Sequence, residues 1–420
     1  MFWLYTILYY LGAGLTFPFE ALKRSSDVRK TWILQRLGIY KKPQWTQKRK
    51  TLWIHAVSVG EVIAISKVVN KLSENFNIVL TTITDTGQRV AQEKIRDKEI
   101  NFYFLPLDCP FAVKRAIRAF SPSALIIAET ELWPNLIKTA SKRIPVLLIN
   151  ARLSEKSFKR YLKIKFFIKK VLEKICVIGV QEEIYKERFK KLGVPEDKII
   201  VTGNTKFDIE IKKVEFDWEN AIPRPIVIAG STHSPEEELI TRAFLSLEKA
   251  GTLILVPRHP QRFEEVEKVV QKLIASSRKF EDVTFYRLSK MENIFRNLRF
   301  SRRVIIMVDK MGILGALYRI CDVAVIGGSF IPHGGQNPLE AIYWKKPVIF
   351  GKSMENFPFI EEFIKEKACF QVDKEELAET LKKLLENEQL RKETGKRAYF
   401  IFKKKSGATE KTLTLIKKFI

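Results

Sequence analysis

The residues able to do chemistry gather in short segments of small and polar residues that follow apolar runs. HAVSVGE (55–61) contains Ser58, Gly60 and Glu61. Ser58-x-x-Glu61 is the spacing of a capping box that opens a helix. It also suits a carboxylate aimed into a cleft as a general base. AETELWPN (128–135) offers Glu129 and Glu131 at another strand end. Lys206 of GNTKFD (203–208) and Arg258 of VPRHPQR (256–262) are cations suited to a monophosphate or diphosphate. The chain has only four histidines, His55, His233, His259 and His333, and each falls at or near the end of a predicted strand. Polar residues favour loop mouths in general, but scattered core histidines would not arrange themselves this way.

The segment GGSFIPHGGQNPLEA (327–341) brings Gly327, Gly328, Gly334 and Gly335 together with His333, Asn337 and Glu340. Glycine-rich backbone before a helix N-terminus offers free N–H groups to a phosphate. Asn337 fits the N-cap, Pro338 the first helical position and Glu340 the third. Glu340 either accepts hydrogen bonds from ribose hydroxyls or completes a capping box with Asn337, and the residues alone leave both readings open.

Other chemistries lack their motifs. Gly351-Lys352-Ser353 resembles the end of a phosphate loop, but Lys346 stands where its first glycine belongs. The chain has no G-x-G-x-x-G after its first strand, no H-E-x-x-H and no Asp-x-Asp to grip a metal-bound diphosphate. No catalytic metal, nicotinamide or flavin is expected, so the cofactor expectation is none. Cys109, Cys176, Cys321 and Cys369 are widely spaced, without a C-x-x-C, so neither a zinc ribbon nor a disulfide framework is suggested, and Cys109 and Cys321, beside apolar runs, read as reduced, mostly structural thiols.

The elements that must position these segments alternate along the chain. Apolar, β-branched runs at 51–57, 77–84, 101–107, 124–129, 145–151, 176–181 and 198–204 are separated by stretches of helical period. A charged, proline-containing segment at 211–225 reads as a linker. A second set of runs follows at 225–230, 252–258, 282–288, 303–309, 322–328 and 347–351. This rhythm predicts an α/β fold of two doubly wound domains, at 21–210 and 226–400, with a cleft between them. Residues 401–420 read as a C-terminal helix, a candidate to pack back on the first domain. Ligands of such sheets bind beyond the carboxyl ends of the strands.

A net charge of +26 in 420 residues points to an anionic partner: nucleic acid, acidic lipid or a phosphorylated substrate. A lysine-rich compositional style is the alternative. Residues 1–19 carry no charge, and residues 21–50 carry ten Lys or Arg against Asp27 alone. This predicts an N-terminal membrane anchor over 1–20, or a helix lying in the interface, with the rest of the chain on the cytoplasmic side. The basic, aromatic stretch 152–174 reads either as a helix packed through Phe158, Leu162 and Phe166 or as a patch for anionic head groups.

Taken in order, HAVSVGE, AETELWPN, INARLSEKS, GNTKFD, STHSPEE, LVPRHP and GGSFIPHGGQNPLEA resemble the Kdo transferases of lipopolysaccharide synthesis, across nearly the whole chain. The resemblance implies a GT-B fold of two Rossmann-like domains. It implies transfer of 3-deoxy-D-manno-oct-2-ulosonic acid (Kdo) from CMP-Kdo to the 6′-hydroxyl of a lipid A precursor, lipid IVA, with inversion and without a metal. Glu61 then stands at the family's general base and Glu129 at its second functional acid. The donor falls to Lys206, Ser231, Thr232, Arg258, His259 and Gly312, with Gly327, Gly328, Gly334, Gly335, Asn337 and Glu340. The acceptor falls to Ser58, Gly60 and Arg152. The partners implied are CMP-Kdo, a lipid A precursor and the cytoplasmic face of the inner membrane, and no nucleic acid. One departure stands out: where the family often carries R-W-G-E-R, this chain reads KTWILQRLG and lacks the glutamate. Another GT-B nucleotide-sugar transferase or an epimerase is the alternative.

Overall fold

The structure is a computed structural model that describes residues 1–95, 97, 99–248, 251–276, 282–292, 295–297 and 300–420. The chain forms two compact units, one of Met1–Asp208 with Lys405–Ile420, the other of Ile209–Lys404.

The first unit holds a seven-stranded sheet of β1 (Thr51–His55), β2 (Asn77–Thr82), β3 (Ile100–Phe104), β4 (Ala124–Ala128), β5 (Val146–Ala151), β6 (Val177–Val180) and β7 (Ile199–Val201), in the order β3-β2-β1-β4-β5-β6-β7. Every pairing is parallel. Helices cover both faces, so strands such as β1, β4 and β5 are buried along their whole length and read as unbroken apolar runs. The order reverses between β1 and β4, the kind of switch point at whose carboxyl ends sheets of this type bind ligands. Helix 408–417 belongs to this unit. Its Leu413, Leu415 and Ile416 pack in one cluster with Ile65, Val68, Leu147 and Val177.

The second unit repeats the plan with β8 (Ile226–Thr232), β9 (Gly251–Pro257), β10 (Val283–Arg287), β11 (Arg303–Met307), β12 (Val323–Ile326), β13 (Val348–Phe350) and β14 (Phe370–Gln371). Its all-parallel order is β10-β11-β9-β8-β12-β13-β14, so the reversal falls between β8 and β12. The two-residue strand β14 is too short to leave a periodic trace in the sequence.

The N-terminus departs from the sequence expectation. Residues Phe2–Leu22 form one helix, but among the described residues no helix is long and apolar enough to cross a membrane. A single transmembrane anchor is therefore not supported. The reason lies in the composition of the run. Its tyrosines and its threonines Thr6 and Thr16 carry hydroxyls, and three of these meet other elements of the protein. Tyr5 donates to Asp108 Oδ2 at 2.7 Å, the Asp108 N–H donates to the Tyr9 hydroxyl at 3.0 Å, and Thr6 meets Asn135 Oδ1 at 3.1 Å. Phe2 lies edge-on to Phe167 with ring centres 5.4 Å apart, and Phe17 stacks on Trp32 at 5.0 Å.

The basic stretch after β5 also resolves differently from a single packed helix. It breaks at Ile164 into helices Glu155–Lys163 and Lys165–Leu172. Phe158 points inward, whereas Leu162 is 40% and Phe166 65% exposed.

Candidate active site

In the first unit, the segments leaving β1, β4, β5 and β7 carry the candidate residues Glu61, Glu129, Arg152 and Lys206. Ser58 caps helix 59–73, its hydroxyl oxygen accepting the Glu61 N–H at 3.4 Å. Glu61 reaches back: Oε2 accepts the Val57 N–H at 2.8 Å, and the Ser58 hydroxyl donates to Oε1 at 3.2 Å. Capping and catalysis are thus not rival readings of Glu61, because the cap holds the carboxylate in place. Burial pushes its pKa up to about 7, helped by the charges of Glu129 and Glu131 and opposed by the Val57 and Ser58 hydrogen bonds. Burial and Glu129 likewise push Glu131 up to about 7.

Glu129 is the ionic centre of this group. Its backbone is left-handed at φ 53°, a conformation that costs a non-glycine residue and tends to persist at functional sites. The Glu129 N–H donates to Ile149 O at 2.9 Å. Its carboxylate pairs with Arg152 Nε at 3.2 Å and Lys206 Nζ at 3.8 Å. Burial lowers the Lys206 pKa from its ordinary value, and the Glu129 charge works against that. Asn150, which sequence reasoning passed over, sets the loop that carries Lys206. Fully buried and also left-handed at φ 51°, it accepts the Thr205 N–H on Oδ1 at 3.1 Å. A polar residue inside the apolar run PVLLINA was the available signal. Gly60 is exposed, and a Cβ there would meet nothing closer than Ser58 Oγ at 3.9 Å. His55 is no site residue in this structure. It is wholly buried, with Nδ1 3.0 Å from Thr81 O, and burial drops its pKa to about 3.

In the second unit, the segments leaving β8, β9 and β12 bring three of the four histidines together. The ring centre of His233 lies 4.2 Å from that of His333 and 5.2 Å from that of His259. His233 is buried at the base, while His259 and His333 are exposed. Gln336 Nε2 lies 3.1 Å from His233 Nε2. The Arg258 N–H donates to Thr232 O at 3.0 Å, which ties the β8 and β9 loops, and its side chain is partly exposed. A hollow of about 280 Å³ opens beside the glycine-rich loop, lined in part by Phe330, Pro332, Lys352 and Ser353.

The glycine-rich loop is not an empty phosphate cradle. The carboxylate of Glu236, itself 1% exposed, accepts the N–H groups of Gly328 at 2.6 Å, Ser329 at 3.0 Å, Phe330 at 2.9 Å and His233 at 3.0 Å. An acid from the first turn of helix Glu236–Leu245 therefore occupies the N–H groups that the sequence offered to a phosphate. The glycines are small for a related reason: protein, not ligand, approaches them. A Cβ on Gly327 would lie 2.4 Å from Ser231 O, one on Gly334 2.3 Å from the Asn356 side chain, and one on Gly335 2.3 Å from Met354 Sδ. Gly312 is exposed at φ 84° with nothing within 4 Å of a Cβ. Ser231 is left-handed at φ 56°. The Thr232 hydroxyl is committed to Glu237 Oε1 at 2.9 Å, and Glu237 in turn pairs with Arg262 at 2.8 Å. The helix after the loop begins later than predicted and is short, Leu339–Tyr343, with Asn337 Oδ1 accepting the Leu339 N–H at 3.1 Å. Glu340 lies near Gly315, where a Cβ would stand 3.4 Å from its Oε2.

Comparison with known proteins adds a second line of observation. The family model described as 3-deoxy-D-manno-octulosonic-acid transferase (kdotransferase) matches residues 32–209, and that of glycosyl transferases group 1 matches residues 287–400. A 3-deoxy-D-manno-octulosonic acid transferase of Haemophilus influenzae is 37% identical over 387 residues, 88% of this chain and 87% of the relative. The chain belongs to the Kdo transferase family. It is therefore a glycosyltransferase. Another Kdo transferase, from Chlamydia muridarum, is 29% identical over 91% of this chain and 89% of its own length. The UDP-GlcNAc 2-epimerase of Neisseria meningitidis bound to UDP-GlcNAc has a TM-score of 0.56 at 16% identity, over 87% of this chain and all of that one, a likeness of fold alone. The two Rossmann-like units are those of a GT-B-like glycosyltransferase.

Within this Kdo transferase, Glu61, Glu129, Arg152, Lys206 and Ser58 come from segments of the first unit, and Glu129 binds both cations directly. Ser231, Thr232, Arg258, His259, the glycines, Asn337 and Glu340 belong to the second unit. Glu131, His233, Gln336 and Glu236 complete the two groups.

Proposed function

We propose that the enzyme transfers Kdo from CMP-Kdo to the 6′-hydroxyl of a lipid A precursor with inversion, using Glu61 as general base. The observation that carries this reading is the state of Glu61. The residue is 8% exposed, its carboxylate held by Val57 and Ser58 beside the point where sheet order reverses, with a pKa raised to about 7. A base so poised takes a hydroxyl proton near neutral pH.

In the step proposed, the acceptor hydroxyl oxygen attacks the anomeric carbon of Kdo and its proton passes to Glu61. The bond from that carbon to the phosphate oxygen breaks, and its electron pair leaves with CMP. An inverting transfer needs this one base and no second carboxylate as nucleophile. Arg258 and the histidines of the second unit supply positive charge for the departing phosphate, the stabilisation that makes fixed cations effective in a pre-organised site. Lys206, which the resemblance gave to the donor, lies in the first unit, and with Arg152, both neutralised in part by Glu129, it suits the phosphates of the acceptor instead.

The test is product formation from CMP-Kdo and a tetraacylated lipid A precursor in detergent with EDTA. Wild type should form a Kdo-lipid, and Glu61→Gln should lose roughly 10²- to 10⁴-fold in kcat, the usual worth of a general base. Equal activity in the variant would leave Glu61 as a cap only. Loss of wild-type activity in EDTA, restored by a divalent cation, would overturn the metal-free step.

A further inference from the structure

The second unit holds three imidazoles in ring contact, which neither a helix cap nor a core requires. His233 sits between His333 and His259, at 4.2 and 5.2 Å between ring centres. The other charges around them are mostly of one sign or already engaged. Arg258 and Arg262 flank the group from the β9 loop. Arg262 is neutralised by Glu237 at 2.8 Å and Glu265 at 3.0 Å. Glu236 is spent on four backbone N–H groups. Glu355, near the glycine loop, accepts from the Ser353 hydroxyl at 2.9 Å. Among the described residues no carboxylate is hydrogen-bonded to the rings, and the side chain that meets His233 Nε2 is the neutral amide of Gln336.

We infer that His233, His259 and His333 form a proton-linked anion site: they bind the phosphate of the cytidine nucleotide and take up a proton as they do so. The inference rests on the donor-site reading above and deepens it. Three clustered imidazoles repel one another's charge, and His233 is also desolvated. Burial first, then His333, His259 and the two arginines, lower its pKa to about 4, so it is neutral in the empty site. Burial and the same cations lower His259. A phosphate brought against the rings reverses the balance, because an opposite charge at close range favours the protonated form. Gln336 provides the accommodation. Its amide now donates toward His233 Nε2, and an amide flip would present Oε1 to a protonated ring. The charge that fixes the nucleotide is thus created by its arrival, and it leaves with the product at higher pH.

The test is isothermal titration calorimetry of the full-length protein with CMP and with cytidine, in phosphate-free buffers of different ionisation enthalpy near neutral pH. CMP should bind with a buffer-dependent enthalpy that reports net proton uptake, and its Kd should weaken with rising pH by up to about tenfold per pH unit for each proton taken up. Cytidine should bind without uptake. Both His233→Gln and the exposed His259→Gln should bind CMP with reduced uptake and a flatter pH dependence, with far-ultraviolet circular dichroism reporting the fold. CMP binding with no buffer dependence overturns the inference and leaves the donor reading intact. Equal uptake with cytidine overturns the link to phosphate. Failure of the folded wild type to bind CMP overturns the donor reading and the inference together.

Discussion

Under the proposed mechanism, Glu61 would do structural and chemical work through a single geometry. The hydrogen bonds from Val57 and Ser58 that begin a helix also fix the carboxylate, and burial keeps it from ionising early. Linkage then sets the stability of the fold against pH. The carboxyl of Glu61 holds its proton in the folded state up to about 7, against 4.5 ordinarily. The unfolded chain releases that proton first, so stability falls as pH rises through this window and levels off above it. Glu61→Gln keeps an acceptor for the Val57 N–H and cannot ionise. Its melting temperature relative to wild type should therefore be higher at pH 8 than at pH 5, as scanning calorimetry would show. A pH-independent difference would mean that Glu61 ionises freely in the folded protein. For activity the sign is opposite: transfer should rise with pH through about 7, because only the ionised carboxylate accepts a proton.

Elements, rather than single side chains, explain the small residues of the 327–341 segment. Strand β12 ends against the end of β8, and the Gly327 N–H donates to Gly230 O at 2.9 Å. An added methyl group at Gly327 would collide with Ser231 O at 2.4 Å and Thr232 Cα at 2.6 Å, both backbone atoms that cannot swing aside. Gly327→Ala should therefore destabilise the protein by about 1–3 kcal/mol, the usual cost of overpacking. A lowered denaturant midpoint would register it. The change should also weaken CMP binding, since Ser231 and Thr232 would have to move. An unchanged midpoint would show that the β8 and β12 ends separate easily. The same contact explains why glycine spacing resembled a ligand loop: a close approach of backbone demands glycine whether the visitor is a phosphate or another strand.

The whole molecule divides its chain unevenly. The first unit is completed by the last sixteen residues, 405–420, whose helix contributes Leu413, Leu415 and Ile416 to a core formed some 200 residues or more upstream. The Asp208 carboxylate receives the Gly407 and Thr409 N–H groups, which holds the returning segment where it meets this unit. Ending the chain at Lys404 should expose Ile65 and Leu147 and leave the first unit susceptible to protease, while residues 209–404 survive digestion. Ile416→Ala, a milder change, should cost about 2–5 kcal/mol as a buried large-to-small substitution. Equal resistance of both units in the shortened chain would contradict this division of the core.

What the sequence determined by itself was whatever depends on near neighbours. Thirteen apolar runs fell on strands β1 to β13, most plainly where a strand such as β1, β4 or β5 is covered on both faces and must be apolar throughout. Ser58-x-x-Glu61 was legible as a cap because its partners lie within four residues. Only the tertiary structure decided what lies across the fold. His55 went into the core and the other histidines into one group. Glu236 took the N–H groups of Gly328 to Phe330 from 92 to 94 residues away. Tyr5 spent its hydroxyl on Asp108, 103 residues distant, which turned an apolar helix into a docked one. Periodicity and capping are written in spacing along the chain, but the partner of a buried charge or hydroxyl is chosen by packing, because desolvation commits each such group to whichever donor or acceptor the fold brings within reach.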